Sequence, residues 1–182
     1  LEYPNDYPYG GGLYSSNSSF ILNDSVINNN RAYVGGGICA FFGNDDTAEF
    51  NNVEISENIA LSNDIDTGYY SYLNIGRGGG MYLSGPGTSN VIINDTYIFN
   101  NISNMGGGLD LGGFMLEMNN VTISENSAIF DEDITSYVFA DPDMPGSGLG
   151  GGIFAFEYYD YYDDWYVTGT YPYPIISLDM RF

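Results

Sequence analysis

The side chains best suited to chemistry are carboxylates grouped in predicted loop segments that are rich in Asp, Gly and Tyr. The chain has 24 Asp and Glu residues against three arginines, with no histidine, and its formal net charge is −21. Loop carboxylates are the hard oxygen ligands that Ca²⁺ prefers, and the candidate set is Asp131, Asp133, Asp141 and Asp143. No group follows the EF-hand pattern or a nonapeptide calcium repeat, so solvated loop charge is the favoured interpretation and no cofactor is required.

The charge balance restricts the partners of the chain. A surface with so few cations repels phosphate groups, so neither nucleic acid nor an anionic membrane is an expected partner. No apolar run is long enough to span a bilayer, and we expect no membrane insertion. The chain is nevertheless 43% hydrophobic, a composition typical of a folded domain with a core.

A glycine triplet followed by an aliphatic residue recurs five times. The triplets start at Gly10, Gly35, Gly78, Gly106 and Gly150, so the intervals are 25, 43, 28 and 44 residues. The short intervals suit one coil of a solenoid, and the long ones suit a coil with an extra loop of roughly 17 residues. These loops are expected at residues 61–77 and 129–149. Glycine allows the positive φ of a tight corner and leaves room for the next coil, so the five glycines are predicted coil corners.

A second motif of eleven residues lies between the triplets in four copies, starting at Leu22, Phe50, Ile93 and Met118. If the copies stack, each asparagine lies beneath its equivalent, and the amides can hydrogen-bond along the stack because each carries both donors and an acceptor. The motif therefore predicts two asparagine ladders, with solvated turn asparagines as the competing interpretation. The first ladder is Asn23, Asn51, Asn94 and Asn119, and the second is Asn30, Asn58, Asn101 and Asn126.

Residues after each triplet and within the second motif alternate with a period of two, which is typical of strands with one side facing a core. The repeats thus predict an all-β parallel β-helix, a solenoid of about five to six coils with long loops on alternate coils. The whole chain, 1–182, is expected to be one domain. Residues 1–9 are expected to end a preceding loop, 10–156 to form the regular coils, and 157–182 to form an acidic aromatic loop and a final partial coil.

The triplets alternate with Ile-x-x-Asn tetrapeptides, which begin at Ile27, Ile55, Ile98 and Ile123. This combination, over residues 10–156, resembles the repeats of the polymorphic outer-membrane protein group, within the wider pectin-lyase-like proteins. The resemblance implies a right-handed β-helix and a secreted or surface-displayed protein. It says little about activity, because that fold hosts lyases, hydrolases, adhesins and surface fibres.

Enzymes of that fold that cut acidic polysaccharides generally use a basic residue, and the related hydrolases combine aspartates with a histidine. This chain has no histidine. Arg31 and Arg77 lie at different positions within the repeat, so they are not expected to form a basic cluster. One station of the second motif carries Asp24, Asn52, Asp95 and Asn120. Such repetition favours a structural role, so we predict no catalytic residues and no enzyme activity. A polysaccharide lyase or hydrolase is the least favoured alternative.

Acceptor patterns for N-linked glycans, Asn-x-Ser/Thr, occur at Asn17, Asn23, Asn94, Asn101 and Asn120. Three of these asparagines belong to the predicted ladders, where an amide cannot also carry an exposed glycan. Asn17 and Asn120 are therefore the glycosylation candidates if the host is eukaryotic.

The chain has one cysteine, Cys39, so it cannot form an internal disulfide. Because Cys39 follows an inward Ile38, its side chain is expected to face outward. It should share an outer column with Tyr14, Tyr82, Asp110 and Phe154. An unpaired small residue in a surface stack is the favoured interpretation, and a disulfide between chains is the alternative.

The repeats are expected to serve a structural function. At both ends of the chain the repeat pattern is incomplete, as if it continued further. The open ends of a solenoid expose strand edges, which proteins cover unless these edges pair with another strand. We therefore expect an extracellular or cell-surface subunit that stacks end to end with copies of itself into a filament or surface layer. The alternative is an adhesin or carbohydrate-binding module, in which glycans stack on aromatic side chains. These are Tyr69, Tyr70, Tyr72, Tyr158, Tyr159, Tyr161, Tyr162 and Trp165.

Overall fold

The computed structural model describes residues 9–61, 76–129, 150–156 and 178–181. Over these ranges the chain forms strands and turns but no helix. Every pairing between these strands is parallel. The protein is therefore all-β with parallel sheets, as the sequence predicts.

The strands follow five repeats, each counted from one glycine triplet to the next. The first repeat contains β1 (Leu13–Ser16), β2 (Phe20–Asn28) and β3 (Arg31–Ala32). The second contains β4 (Ile38–Phe41), β5 (Thr47–Ser56) and β6 (Ile59–Ala60). The third contains β7 (Met81–Ser84), β8 (Asn90–Asn94), β9 (Tyr97–Phe99) and β10 (Ile102–Ser103). The fourth contains β11 (Leu109–Gly112), β12 (Met115–Asn119), β13 (Thr122–Ser124) and β14 (Ser127–Ala128), and the fifth contains β15 (Ile153–Phe156) and β16 (Leu178–Arg181).

Equivalent strands of successive repeats lie side by side in three sheets. Sheet 1 holds the strands that follow the triplets, in the order β1-β4-β7-β11-β15, and sheet 3 holds the short strands in the order β3-β6-β10-β14. Sheet 2 is built from the second motif, with β5 paired to β2 on one side and to β8 and β9 on the other. There β12 and β13 continue the sheet, and β16 pairs with β12. The register joins equivalent residues, for example Ile55 with Ile27 and Ile98.

In each of the first four repeats, three positions turn the chain with a left-handed backbone. The first glycine of each triplet has φ between 61° and 65°. The second motif adopts positive φ at its third residue, which is Asp24, Asn52, Asp95 or Asn120, and at its eighth residue, which is Asn29, Glu57, Asn100 or Glu125. Asp and Asn tolerate this conformation better than other non-glycine residues, because their short polar side chains can hydrogen-bond locally. The third position of the motif accordingly holds only Asp or Asn, whereas Glu occupies the eighth position in two of the four copies.

The inner faces of sheets 1 and 2 share one hydrophobic core. Its fully buried members include Ile55 and Ile98 of the second motif and three residues that follow triplets, Ile38, Met81 and Leu109. In sheet 2 buried and exposed residues alternate along the strands, as in β12. In sheet 1 the first three residues of β4 and of β7 are all buried, so these central strands are covered on both faces, whereas Tyr14 of β1 is exposed.

The outer column of sheet 1 has the predicted register but not the predicted exposure. Cys39 pairs with Tyr14 and Tyr82, and Asp110 continues the column. The expectation that Cys39 faces the surface is wrong, because Cys39 and Asp110 are fully buried and Tyr82 is only 5% exposed. Side chains lie over this face: the Phe41 ring packs 5.6 Å from that of Tyr82, and the Arg77 guanidinium stacks 5.0 Å from the Tyr82 ring centroid. Burial raises the pKa of the Cys39 thiol to about 12.

Several predicted features lie outside the described residues. They include most of the two long loops, the carboxylates Asp131, Asp133, Asp141 and Asp143, and the aromatic residues on which the adhesin alternative rests. The calcium and adhesin hypotheses therefore remain predictions from the sequence.

Candidate functional site

The second asparagine set forms a buried column between the sheets, which we call the inner asparagine column (Asn30, Asn58, Asn101 and Asn126). The Nδ2 of each of its first three residues donates to the Oδ1 of the next, at 2.9 to 3.0 Å. Asn58 and Asn101 are fully buried. The structure thus brings these four residues into one chain of hydrogen bonds that crosses four repeats.

Asn101 shows how completely each amide in this column is used. Its Oδ1 accepts from the backbone N and from the Nδ2 of Asn58, both at 3.0 Å. Its Nδ2 donates to the Oδ1 of Asn126 and to the backbone O of Ile55, both at 2.9 Å. An amide can fill two donor and two acceptor sites, and here all four are filled inside the protein. The contacts with backbone atoms also fix the direction of the column.

The glycine triplets and the inner asparagine column depend on each other. A Cβ added to Gly80 would meet the Nδ2 of Asn101 at 3.1 Å and the backbone O of Gly108 at 2.6 Å. A Cβ added to the third glycine of the first, second or fourth triplet would likewise meet the Nδ2 of Asn30, Asn58 or Asn126. The triplet therefore leaves the space that the amides of the second motif occupy, which explains why the two motifs recur together.

The first asparagine set lies nearer the surface and forms the outer asparagine column (Asn23, Asn51, Asn94 and Asn119). Asn119 donates to Asn94, Asn94 donates to Asn51, and Asn51 donates to Asn23, at 2.8 to 3.0 Å between Nδ2 and Oδ1. The donors in this column point toward the first repeat, whereas those of the inner column point away from it. The two columns are consequently polar in opposite directions.

The outer face of sheet 2 alternates in charge from one repeat to the next. The corner column runs Asp24, Asn52, Asp95, Asn120, and the amides of Asn52 and Asn120 donate to the carboxylates of Asp24 and Asp95 at 2.7 and 2.6 Å. Another outward column runs Ile21, Glu49, Ile92, Glu117. Two carboxylates one strand spacing apart, about 4.8 Å, repel by about 0.9 kcal/mol even in water. Across these four repeats, the alternation places successive carboxylates of one column two strand spacings apart. In the fifth repeat, Asp179 is in register with Glu117.

The first repeat forms an edge of the sheets, where some hydrogen-bonding groups have no partner among the described residues. Its inward residues Leu13, Phe20 and Ile27 are only partly buried, whereas their equivalents in the second repeat, Ile38, Ala48 and Ile55, are fully buried. Within the described residues, β2 pairs on one side only, and neither the Oδ1 of Asn30 nor the Nδ2 of Asn23 has a partner. We call this surface the first-repeat edge; it consists of β1, β2 and β3.

A buried ion pair on sheet 1 was not predicted from the sequence. Arg77 contacts Asp110 through its Nε at 2.7 Å and its Nη2 at 3.0 Å. The Asp110 side chain is fully buried and that of Arg77 is 18% exposed. Burial raises the pKa of Asp110 above its ordinary value of 3.8, and the charge and hydrogen bonds of Arg77 oppose that rise. The two residues are 33 positions apart: Arg77 comes directly before the third triplet, and Asp110 lies in the strand that follows the fourth.

The glycosylation candidates occupy exposed corners. Asn17 and Asn120 are both exposed, and Asn120 donates to Asp95 as described above. Asn101 is fully buried. The hydroxyls of Ser25 and Thr96 bond to the backbone O of Asn23 and Asn94, at 2.6 and 2.8 Å. At those two asparagines the acceptor pattern therefore has a structural explanation in the left-handed corner.

In the part of the chain that the structure describes, no group of three or more His, Cys, Asp and Glu side chains is placed to hold a metal ion. Likewise, none of the described segments is a helix with the length and hydrophobicity to cross a membrane. Comparisons with protein-family models, with curated proteins and with solved structures find no match to this chain. The functional proposal therefore depends on the geometry of the repeats.

The two asparagine columns should differ in their contribution to stability. Replacing Asn101 by alanine leaves buried donors of Asn58 unsatisfied, and we expect the free energy of unfolding to fall by about 3 kcal/mol. Replacing Asn94, from the outer column of the same repeat, should cost about 1 kcal/mol, because water can reach its partners. Urea denaturation of both variants measures this. Equal losses of unfolding free energy in the two variants would show that burial does not determine how much the inner asparagine column contributes to stability.

Proposed function

We propose that this protein is a right-handed parallel β-helix that serves as an extracellular structural subunit and associates end to end into a filament or surface layer. The proposal for the fold is supported by the succession of sheets: each of the first four repeats supplies strands to sheets 1, 2 and 3 in that order, around a shared core. Right-handedness agrees with the strong preference of parallel crossover connections for that hand.

The first-repeat edge is the observation that carries the functional proposal. Among the described residues, it combines a nine-residue strand paired on one side, partly exposed core residues and unpaired groups at the end of both asparagine columns. Unpaired edges of this kind form a template for another strand, and natural proteins usually cover or disrupt them. A further repeat placed there would bury the partly exposed core residues and continue both columns. Acidic loops would keep such an assembly soluble.

Electron microscopy of the protein in physiological salt tests this proposal. We expect filaments or sheets with a constant width, whose cross-section fits one β-helix. A variant with Val26 and Asn28 both replaced by proline, which removes backbone donors from the edge strand, should remain monomeric. Monodisperse single particles of the unmodified protein at all concentrations, seen also in sedimentation velocity, would refute it.

A further inference from the structure

One outward column of sheet 2 alternates apolar and acidic residues across the repeats. In the order of the repeats it is Ile21, Glu49, Ile92 and Glu117. Ile21 is 61% exposed and Glu117 is exposed, whereas Glu49 and Ile92 are partly buried. Two strand spacings, about 9.6 Å, separate Glu49 from Glu117. The two carboxylates therefore lie on opposite sides of Ile92, at a distance that the sheet itself fixes.

The strand segments around these glutamates form a regular outer surface, which we call the β5-β8-β12 face. Its outward residues are Thr47, Glu49, Asn90, Ile92, Met115 and Glu117. Buried and outward residues alternate in all three strands here, and the left-handed corners lie beyond this stretch. Met115 is 50% exposed and adds a second apolar side chain next to Ile92 and Glu117. The face thus combines exposed apolar surface with two carboxylates.

The arginine side chains that the structure describes lie away from the β5-β8-β12 face. Arg77 contacts Asp110 on sheet 1, and Arg31 belongs to sheet 3. One oxygen of Glu117 accepts from the Nδ2 of Asn119 at 3.0 Å, a neutral partner that leaves its charge uncompensated. The chain also carries a net charge of −21, which attracts cations over a longer range. A partner for this face is therefore expected to supply positive charge.

We propose that the β5-β8-β12 face binds a cationic, proline-rich segment of a partner protein, in the polyproline II conformation and lying across the strands. A polyproline II helix has three residues per turn and rises about 3.1 Å per residue, so a basic residue at every third position recurs on one side about every 9.3 Å. This distance matches the spacing of about 9.6 Å between Glu49 and Glu117. One side of an extended strand recurs about every 6.7 Å and a turn of α-helix about every 5.4 Å, and neither period fits.

The residues between the basic positions of such a segment would contact the apolar side chains of the face. Proline rings would pack on Ile92, which lies between the two glutamates, and on Met115. Because the polyproline II helix is already formed in the free segment, little conformational entropy is lost on binding. This inference is independent of the proposed end-to-end association, since the face runs across the second, third and fourth repeats rather than at an end of the described stack.

Two synthetic peptides of identical composition test the proposal on the full chain. The regular peptide consists of four Lys-Pro-Pro units, and the irregular peptide has the same lysines and prolines with lysines alternately two and four positions apart. Each is titrated into the unmodified protein at about 50 mM salt, where surface charges are weakly screened. We expect the regular peptide to bind about fivefold more tightly, because it alone places its lysines on one side. It should shift the amide resonances of Glu49, Ile92 and Glu117.

Two charge variants locate the binding surface. Glu49→Gln with Glu117→Gln removes both carboxylates of the face, and the regular peptide should then bind about fivefold more weakly, because two exposed ion pairs are lost. The matched control is Glu57→Gln with Glu125→Gln, which removes the same charge from exposed corner residues of the same two repeats. This control should change the affinity less than about twofold. Absence of binding, equal affinity of the two peptides for the unmodified protein, or equal losses in the two variants would each overturn the inference.

Discussion

Replacing Gly79 by alanine should destabilise the protein by about 5 kcal/mol. An added Cβ would lie 2.4 Å from the backbone O of Gly107 and 2.6 Å from that of Ile102. Neither oxygen belongs to a flexible side chain, so relief requires the third and fourth repeats to move apart and Gly79 to move away from Ile102 of its own repeat. That movement would break the backbone bonds from Gly79 and Gly80 to the next triplet. Overpacking against immobile backbone is among the few causes of such large losses.

Gly151 supplies the matched control, because it is the same middle glycine in the fifth triplet. Among the described residues, the nearest atom to its added Cβ is the backbone O of Asn126 at 3.2 Å. Its backbone φ is not in the left-handed range, so alanine should cost less than about 1 kcal/mol there. Denaturant unfolding of both variants measures the difference. A similar loss at both positions would show that close approach of successive repeats is not what selects the glycine.

Replacing Arg77 by methionine should destabilise the protein by about 4 kcal/mol at neutral pH. The change keeps much of the apolar stem but leaves the fully buried Asp110 carboxylate without its bidentate partner. Breaking one side of a buried ion pair typically costs this much, because the remaining charge is uncompensated. Arg31 is exposed and forms no ion pair with described residues, so Arg31→Met should be nearly neutral.

The Arg77→Met variant should also acquire a distinct pH dependence. Burial already raises the pKa of Asp110, and removing Arg77 takes away the groups that oppose this rise. A carboxyl whose pKa is raised by folding stabilises the folded state while it is protonated, and that stability is lost as the pH rises through the raised pKa. As the pH rises above the ordinary carboxyl pKa of 3.8, the free energy of unfolding should therefore fall more steeply than in the parent. The double variant Arg77→Met with Asp110→Asn should lose this excess slope; a slope that remains would assign it to other groups.

The repeat could be predicted from the sequence because stacking places equivalent residues next to each other. Once Ile27, Ile55 and Ile98 were aligned, the parallel register followed from the motif spacing alone. The link between the triplets and the inner asparagines could not be predicted, although both recur in every full repeat. Motif spacing does not show which side chain faces which glycine across the core.

The covering of sheet 1 could not be predicted in the same way. Period-two alternation correctly placed Ile38 inward and Cys39 on the opposite face, but it cannot show what lies over that face. Arg77 comes from the corner before a triplet, and its reach to Asp110 depends on side-chain packing rather than on the repeat. The charge alternation, by contrast, was present in the sequence as Asp, Asn, Asp, Asn at one station. Its meaning required the hydrogen bonds between neighbouring repeats.

Contacts between side-chain amides of the inner asparagine column test most directly whether the repeats stack in parallel register. In nuclear magnetic resonance spectra of isotope-labelled protein, we expect Overhauser contacts linking the Nδ2 protons of Asn58 to Asn101 and those of Asn101 to Asn126. These residues are 43 and 25 positions apart. Backbone contacts between Ile98 and its register partners Ile55 and Ile123 should accompany them. Asparagine amides that contact only their sequence neighbours, or antiparallel contacts between successive repeats, would contradict the stacking on which the whole account rests.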